Sequence, residues 1–333
     1  MKINVGVLGG GSWATTVASL ASKKNETMLW ARDSETVNEI NQHHKNYKYL
    51  PDADLHKNLK ATNSIEQAAT NADVIVVGVP SQGFREVLLM AKPFIRAWVP
   101  IVSISKGFEL NTKMRMSEII NEVLPGHPIG VLTGPNLAKE IHAGFAAAAV
   151  IAMVDKTIAK RLQQVFSSGL FRVYTNSDVI GCELGGALKN IMAIATGMSD
   201  GANAGDNTRA ALITRGLSEL TRLGRAMGGR RSTFSGLAGL GDLVVTCSSA
   251  KSRNYRVGFS LGRGKKLKEI IEEMKEVAEG VKATKVAMEL ALAYKVDMPI
   301  TREVYRVLYE GISVQECFKA LLKIESGSEK EPG

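Results

Sequence analysis

Residues 6–14, with the sequence GVLGGGSWA, decide the fold of the first half of this chain. They follow an apolar run that predicts a strand, and they open a stretch whose periodicity predicts a helix. Read as Gly9-x-Gly11-x-x-Ala14, the pattern is typical of a turn that binds a dinucleotide. Gly9 permits the tight turn, Gly11 lets the backbone approach a pyrophosphate, and Ala14 allows the helix to pack closely on the strand. The alternative is a glycine-rich turn without a ligand, which the agreement of strand, helix and pattern disfavours.

Short apolar runs alternate with amphipathic stretches through this half of the chain. Several runs are rich in β-branched residues and show no polar alternation, which is typical of parallel strands covered on both faces. The predicted strands are Ile3–Leu8, Thr27–Trp30, Asp73–Val79, Pro100–Ile104, Ile129–Leu132 and Ala146–Val154, and the predicted helices are Ser12–Lys23, Ser34–His43, Gly83–Phe94 and Met114–Val123. The order predicts an α/β, doubly wound domain over residues 1–177.

The second half of the chain changes character after Asp178, because no convincing strand pattern follows. The predicted helices are Asp178–Gly197, Thr208–Met227, Asn254–Leu261, Leu267–Lys275, Gly280–Ala293, Ile300–Tyr309 and Val314–Lys323. We therefore expect an all-α domain over residues 178–325, followed by a polar, flexible tail at 326–333.

The composition is that of a globular protein and excludes several classes. The chain has 333 residues, of which 45% are hydrophobic and 23% charged, so a disordered or fibrous chain is excluded. The net charge of +9 suits anionic small molecules. It comes from scattered residues without a block of five Lys or Arg, so a nucleic-acid partner is not expected.

The cysteines and histidines show no pattern that indicates a disulfide framework or a metal site. Cys182, Cys247 and Cys317 are odd in number and far apart, as expected for reduced thiols in a cytoplasmic protein. No metal is expected, because no Cys/His cluster has ligand spacing. The uncharged run at 5–22 is interrupted by three glycines and the run at 143–154 is short, so neither a leader nor stable membrane insertion is expected.

The end of the second predicted strand bears on which nicotinamide cofactor would bind. Arg32 would attract a 2′-phosphate, whereas a carboxylate at this strand tip would bond the ribose hydroxyls and repel that phosphate. Asp33 keeps the second option open, although it can also cap the following helix. The sequence therefore favours NADPH and leaves NADH open.

Two lysines stand where chemistry could use them. Lys106 follows the strand Pro100–Ile104, at the sheet edge where ligands of α/β proteins bind, although a solvated loop lysine remains an alternative. Lys189 lies in the apolar, glycine-containing segment ELGGALKNIMAIA at 183–195, where a charge is costly unless it faces a polar cavity. A desolvated lysine suits proton transfer, and a lysine that snorkels from a buried helix is the alternative.

A third group of candidate residues combines glycines, an aspartate and a helix start. The spacing in Gly236–Asp242 predicts a tight, non-helical loop that presents Asp242. Ser252 can cap the next helix, which would put Arg253 and Asn254 in its first turn. An arginine at a helix N-terminus makes a phosphate site, while a purely structural cap is the alternative.

These motifs together resemble the NAD-dependent glycerol-3-phosphate dehydrogenase family over almost the whole chain. The matching segments are GGGSWATT (9–16), SKGFE (105–109), LTGPNLAKEI (132–141), ELGGALKNIMAIA (183–195), GLGDLVVTCSSAKSRN (239–254) and VAEG (277–280). The resemblance implies a Rossmann-type domain followed by a helical domain, as in the 6-phosphogluconate-dehydrogenase-like group.

The resemblance also implies roles for individual residues. Lys189 would be the catalytic proton-transfer residue, and Asn136 stands where the family usually has a hydroxyl residue. Besides Gly9 and Gly11, the cofactor would contact Ser12, Trp13, Arg32, Lys106, Ala138, Arg253, Val277 and Glu279. The substrate would contact Lys106, Gly134, Asn136, Asp242, Ser252, Arg253 and Asn254.

By the same resemblance, NADPH or NADH would reduce dihydroxyacetone phosphate to sn-glycerol 3-phosphate, a precursor of phospholipids, in a cytoplasmic homodimer. Two alternatives remain. One is a dehydrogenase of the same fold that acts on a 2-keto or 3-hydroxy acid, whose carboxylate would also suit Arg253. The other is a non-enzymatic nicotinamide-nucleotide redox sensor, which would leave Lys189 unexplained.

Overall fold

The computed structural model describes residues 2–274 and 278–323, which form two compact units. The first unit comprises residues up to Glu109 and Met114–Cys182. The second comprises Leu110–Lys113 and the described residues from Glu183 onward. The expected tail at 326–333 lies outside the described residues.

The first unit contains one eight-stranded sheet with the order β3-β2-β1-β4-β5-β6-β7-β8. The strands are β1 (Asn4–Leu8), β2 (Glu26–Trp30), β3 (Leu59–Thr62), β4 (Val74–Val77), β5 (Ile101–Ser103), β6 (Ile129–Thr133), β7 (Ala147–Met153) and β8 (Phe171–Asn176). Every neighbouring pair is parallel except β6 and β7, which run antiparallel. The doubly wound α/β fold is therefore confirmed, with one antiparallel pair that the sequence pattern did not indicate.

Helices cover both faces of this sheet. They are α1 (Ser12–Ala21), α2 (Ser34–Asn38), α3 (Ile65–Ala69), α4 (Phe84–Ala91), α5 (Met116–Val123), α6 (Ala138–His142) and α7 (Lys156–Phe166). In β4, Val74 and Val76 join one core cluster while Ile75 and Val77 join the other. This two-sided burial explains the unbroken apolar run in the sequence.

The described residues of the second unit form helices joined by turns and loops and contain no strand, as the sequence predicts. Its helices are α8 (Val179–Gly201, which starts in the first unit), α9 (Asp206–Ala226), α10 (Arg231–Phe234), α11 (Asp242–Ser248), α12 (Arg253–Gly262), α13 (Leu267–Glu273), α14 (Glu279–Ala293), α15 (Pro299–Tyr305) and α16 (Val314–Leu322). Within the described part of the chain, α8 has the length and apolar composition of a membrane span, but 89% of its most apolar stretch is buried inside the protein. It therefore fits a core helix.

A buried carboxylate joins α9 to the start of α15. Glu219 Oε1 accepts a hydrogen bond from the amide of Ile300 at 2.6 Å, and Oε2 accepts bonds from the amide and hydroxyl of Thr301 at 3.2 and 3.0 Å. Burial outweighs these bonds and the nearby charge of Arg222, and it raises the pKa of Glu219 from 4.5 to about 7.

This shift makes stability depend on pH in a defined direction. Between pH 4.5 and about 7 the unfolded chain loses the Glu219 proton while the folded chain keeps it. The free energy of unfolding therefore falls by up to ~3 kcal/mol as the pH rises through that range. We expect Glu219→Gln to flatten this slope in urea unfolding at several pH values, and the exposed Glu272→Gln to leave it unchanged. A Glu219→Gln protein with the wild-type slope would contradict the assignment.

Candidate functional site

At the glycine turn after β1, backbone atoms crowd Gly9, whereas the space beside Gly11 is open. Gly9 has φ +134°, and a Cβ there would lie 2.5 Å from the carbonyl oxygen of Gly78. Gly11 precedes α1 in extended conformation, no side chain caps that helix, and nothing lies within 4 Å of where its Cβ would stand. The amides at the N-terminus of α1 therefore border open space, which fits a bound phosphate.

A buried asparagine that the sequence reading missed holds this turn in place. Asn46 Nδ2 donates to the carbonyl of Gly10 at 2.9 Å and contacts the hydroxyl of Thr15 at 3.0 Å. Its Oδ1 accepts from the amide of Tyr49 at 3.2 Å. The sequence around Asn46 contains no pattern that indicates this role, because Asn46 lies in a loop more than thirty positions from the turn.

The indole of Trp13 adds a second sign of a ligand near the turn. Its ring packs edge-on against Phe171, with centroids 6.2 Å apart. Its Nε1 is buried and has no hydrogen-bond partner among the described residues. A buried donor of this kind is costly unless a ligand or water accepts its hydrogen bond.

At the end of β2 the two residues considered for cofactor choice have different surroundings. Arg32 is exposed. Asp33 caps α2, since its carboxylate accepts from the amide of Glu35 at 3.1 Å and the hydroxyl of Thr36 at 3.2 Å. Lys48 Nζ also lies 4.0 Å from that carboxylate. Asp33 therefore has a structural role as the cap of α2, while the side chains of Arg32 and Asp33 both reach solvent at this strand end.

The ends of β5 and β6, which are neighbours in the sheet, bring three predicted residues together. Lys106 Nζ donates to the carbonyl of Gly134 at 3.1 Å, and Gly134 has φ +134°. Asn136 follows two residues later, and both polar atoms of its side chain are buried without a hydrogen-bond partner among the described residues. Ala138 then begins α6. This cluster therefore contains a carboxamide that a polar ligand would satisfy.

Lys189 is buried in α8 with its charge fully partnered. Its side chain is 7% exposed, and Nζ bonds to the carboxylate of Asp242, itself 1% exposed. Nζ also donates to Thr246 Oγ1 at 2.6 Å, and that hydroxyl donates to the carbonyl of Asp242 at 2.6 Å. The predicted polar surroundings of Lys189 are therefore an ion pair with a bridging hydroxyl. Thr246 was missed, although its place one helical turn after Asp242 puts both on one face.

The segment that presents Asp242 differs from the expectation. Leu237–Gly241 forms a helical turn with wide, π-type hydrogen bonding that runs into α11, whereas a non-helical loop was expected. The glycines serve close packing: a Cβ on Gly185 of α8 would lie 2.5 Å from the carbonyl oxygen of Ala238. A Cβ on Gly239 would lie 2.1 Å from the carbonyl oxygen of Phe234.

The start of α12 is arranged as the sequence predicts. Ser252 Oγ caps it by accepting from the amide of Tyr255 at 3.3 Å, and Arg253 is its exposed first residue. Asn254 Oδ1 accepts from the amide of Gly280 at 2.9 Å, which ties α12 to α14. Glu279 begins α14, and Val277 lies outside the described residues.

A cysteine beside the ion pair does not add a nucleophile. Cys247 is buried in α11, near Lys189 and Asp242. Burial raises the pKa of its thiol to about 12, so the thiolate needed for covalent chemistry is absent at neutral pH. The candidate functional groups of this unit are therefore the ion-paired Lys189 and the start of α12.

Comparisons with known proteins agree over the whole chain. The family model described as NAD-dependent glycerol-3-phosphate dehydrogenase N-terminus matches residues 4–159, and the corresponding C-terminus model matches 178–319. Glycerol-3-phosphate dehydrogenase [NAD(P)+] 2 of Sphingopyxis alaskensis is 55% identical over 333 residues, all of both chains. The enzyme of Mycobacterium avium is 52% identical over 97% of this chain and 95% of its own.

Solved structures give the same picture. A crystal structure of glycerol-3-phosphate dehydrogenase from Coxiella burnetii matches with a TM-score of 0.92 and 39% identity, over 97% of this chain and 99% of the other. A ketopantoate reductase from Ralstonia eutropha matches with a TM-score of 0.61 and 15% identity, over 96% and 100% of the two chains. The second similarity shows a shared fold alone.

Proposed function

This chain belongs to the NAD-dependent glycerol-3-phosphate dehydrogenase family, and from that membership we propose how its own residues perform the reaction. The protein is an NAD(P)-dependent oxidoreductase that interconverts dihydroxyacetone phosphate and sn-glycerol 3-phosphate. The observation that carries the mechanism is the buried ion pair of Lys189 with Asp242.

The open glycine turn would hold the cofactor pyrophosphate. The amides at the start of α1, with Gly9, Gly11 and Ser12, suit an anion, and the unsatisfied Nε1 of Trp13 supports a ligand beside them. The bound nicotinamide supplies or accepts the hydride at C2 of the substrate. The other residues proposed to contact the cofactor are Arg32, Lys106, Ala138, Arg253, Val277 and Glu279.

The substrate phosphate would bind at the N-terminus of α12. Arg253 offers a guanidinium there, and the helix dipole favours an anion at the same place. Ser252 and Asn254 hold this start of the helix through their bonds to Tyr255 and Gly280. Lys106, Gly134 and the unsatisfied Asn136 would contact the polar groups of the substrate.

Lys189 would move the proton. In the direction of reduction its ammonium donates a proton to the oxygen that forms at C2, and in oxidation the neutral amine takes that proton back. Asp242 and the Thr246 hydroxyl fix the position of Nζ.

We further propose that the NAD(P)-binding domain covers residues 1–177 and the substrate domain residues 178–325. The family resemblance supports a cytoplasmic homodimer whose product feeds glycerophospholipid synthesis. The position of Arg32 supports a preference for NADPH over NADH.

Lys189→Ala is expected to remove turnover and to leave cofactor affinity nearly intact. Loss of one general acid costs about 10²–10⁴-fold in kcat. Turnover is measured by the absorbance of the reduced cofactor, and affinity by its fluorescence. The exposed Lys285→Ala in α14 is the matched control. If Lys189→Ala kept more than half of the wild-type kcat, Lys189 would be structural.

Arg32→Ala is expected to raise KM for NADPH about tenfold or more, because a charge-assisted contact with the 2′-phosphate is lost. KM for NADH should barely change, and it serves as the internal control in the same protein. Equal losses for both cofactors would mean that Arg32 supports the fold locally.

Removing the substrate phosphate tests the anion site at α12. Dihydroxyacetone should lose about 10³-fold or more in kcat/KM against dihydroxyacetone phosphate, because phosphate binding energy positions the carbonyl. Arg253→Ala should reduce this difference in kcat/KM between the two substrates. Arg256 is an exposed arginine one turn later, and Arg256→Ala should leave the difference unchanged. A wild-type enzyme that reduces dihydroxyacetone or a short 2-keto acid equally well would overturn the substrate assignment.

A further inference from the structure

The tyrosine that follows Arg253 and Asn254 bonds to the helix that carries Lys189. Tyr255 Oη donates to Asp200 Oδ2 at 2.6 Å. The other oxygen of Asp200 accepts from Arg209 Nε at 3.0 Å, so a guanidinium balances the carboxylate charge. Burial raises the pKa of the Tyr255 phenol to about 12, and the hydroxyl therefore remains a donor over the working pH range.

Asp200 and Lys189 lie on the same side of α8. They are separated by eleven residues, which is about three turns and roughly 16 Å of helix. A continuous α-helix transmits position between these two points with little bending. The place of Asp200 is therefore fixed relative to the proton-transfer residue.

Glycines bring α12 into backbone contact with α8. A Cβ on Gly258 of α12 would lie 2.0 Å from the carbonyl oxygen of Ile194, and a Cβ on Gly197 of α8 would lie 2.2 Å from that of Tyr255. Such backbone contact sets the distance between two helices. At the glycines themselves no side chains interlock to resist sliding along the helix axes, because the ridges that fill grooves are absent there. A directional bond between the helices can supply that resistance.

We propose that Tyr255 is a positioning residue, whose bond to Asp200 sets the start of α12 against Lys189 and so determines the preference for a phosphorylated substrate. The inference rests on the proposed phosphate site at Arg253 and Asn254. A small shift of that site moves the bound carbonyl away from Lys189, and misplacement of about 1 Å can cost 10²-fold in rate.

Tyr255→Phe tests the inference, because it removes the hydroxyl and keeps the ring that stacks on Phe259 at 6.3 Å between centroids. The expected result is a fall of about tenfold in the ratio of kcat/KM for dihydroxyacetone phosphate to that for dihydroxyacetone. Inhibition by inorganic phosphate should weaken in parallel. A loss of folded enzyme would lower both kcat/KM values equally and leave their ratio unchanged.

Tyr309→Phe is the matched control, since its hydroxyl also makes one hydrogen bond in this unit, to the carbonyl of Val281 at 2.8 Å. It should keep the wild-type ratio. Asp200→Ala should reproduce the effect of Tyr255→Phe, and the double variant should add nothing further. A Tyr255→Phe enzyme with the wild-type ratio overturns the inference. A wild-type enzyme without phosphate preference instead overturns the proposed function.

Discussion

The buried ion pair of Lys189 with Asp242 is a constraint on which the packing of α11 against α8 depends. A charge this deep in an apolar helix is tolerated only with a close partner and further hydrogen bonds. Asp242 and Thr246 supply both, and they come from α11, 53 positions or more along the chain. Because the turn before α11 must approach α8 almost to backbone contact, Gly185 cannot carry a side chain. The glycines that weaken these helices as isolated elements thus permit the close packing next to the ion pair.

Under the proposed function, two helix starts would bind anions that have different tasks. At α1, Gly11 provides no side-chain cap, so the helix amides border open space that suits a pyrophosphate. At α12, Ser252 takes up the amide of Tyr255 and fixes the helix even without a ligand. The cofactor would supply the missing cap of the first helix, whereas the second is capped by its own serine. A preformed anion site costs less to order on binding and can hold a small substrate in one position.

The sequence predicted those parts of the molecule that local patterns encode. The turn at Gly9–Ala14, the buried strand at Val74–Val77 and the cap at Ser252 each depend on neighbours within one element. The edge strands β3 and β8 were missed because each carries an exposed basic residue, Lys60 or Arg172, which interrupts the apolar run. The sequence reading missed Asn46, Thr246 and Tyr255. Their hydrogen-bond partners, which are Gly10, Lys189 and Asp200 respectively, lie more than thirty residues away along the chain. Tertiary contacts of this kind leave no periodic signal.

The same distinction holds between the proposed reactive residues and the residues that position them. A lysine in an apolar helix indicates a proton-transfer residue, and an arginine at a helix start indicates a phosphate site. Both roles can therefore be predicted from the residue type and its local sequence. Catalysis, however, depends on the distance between them, because phosphate binding energy raises turnover only if it holds the carbonyl where the proton and hydride arrive. Under the proposed mechanism, that distance would be set by glycines that let α8 and α12 touch, by the Asn254 bond to Gly280, and by Tyr255. The residues that set it carry no reactive group, which is why a search for reactive groups passes over them.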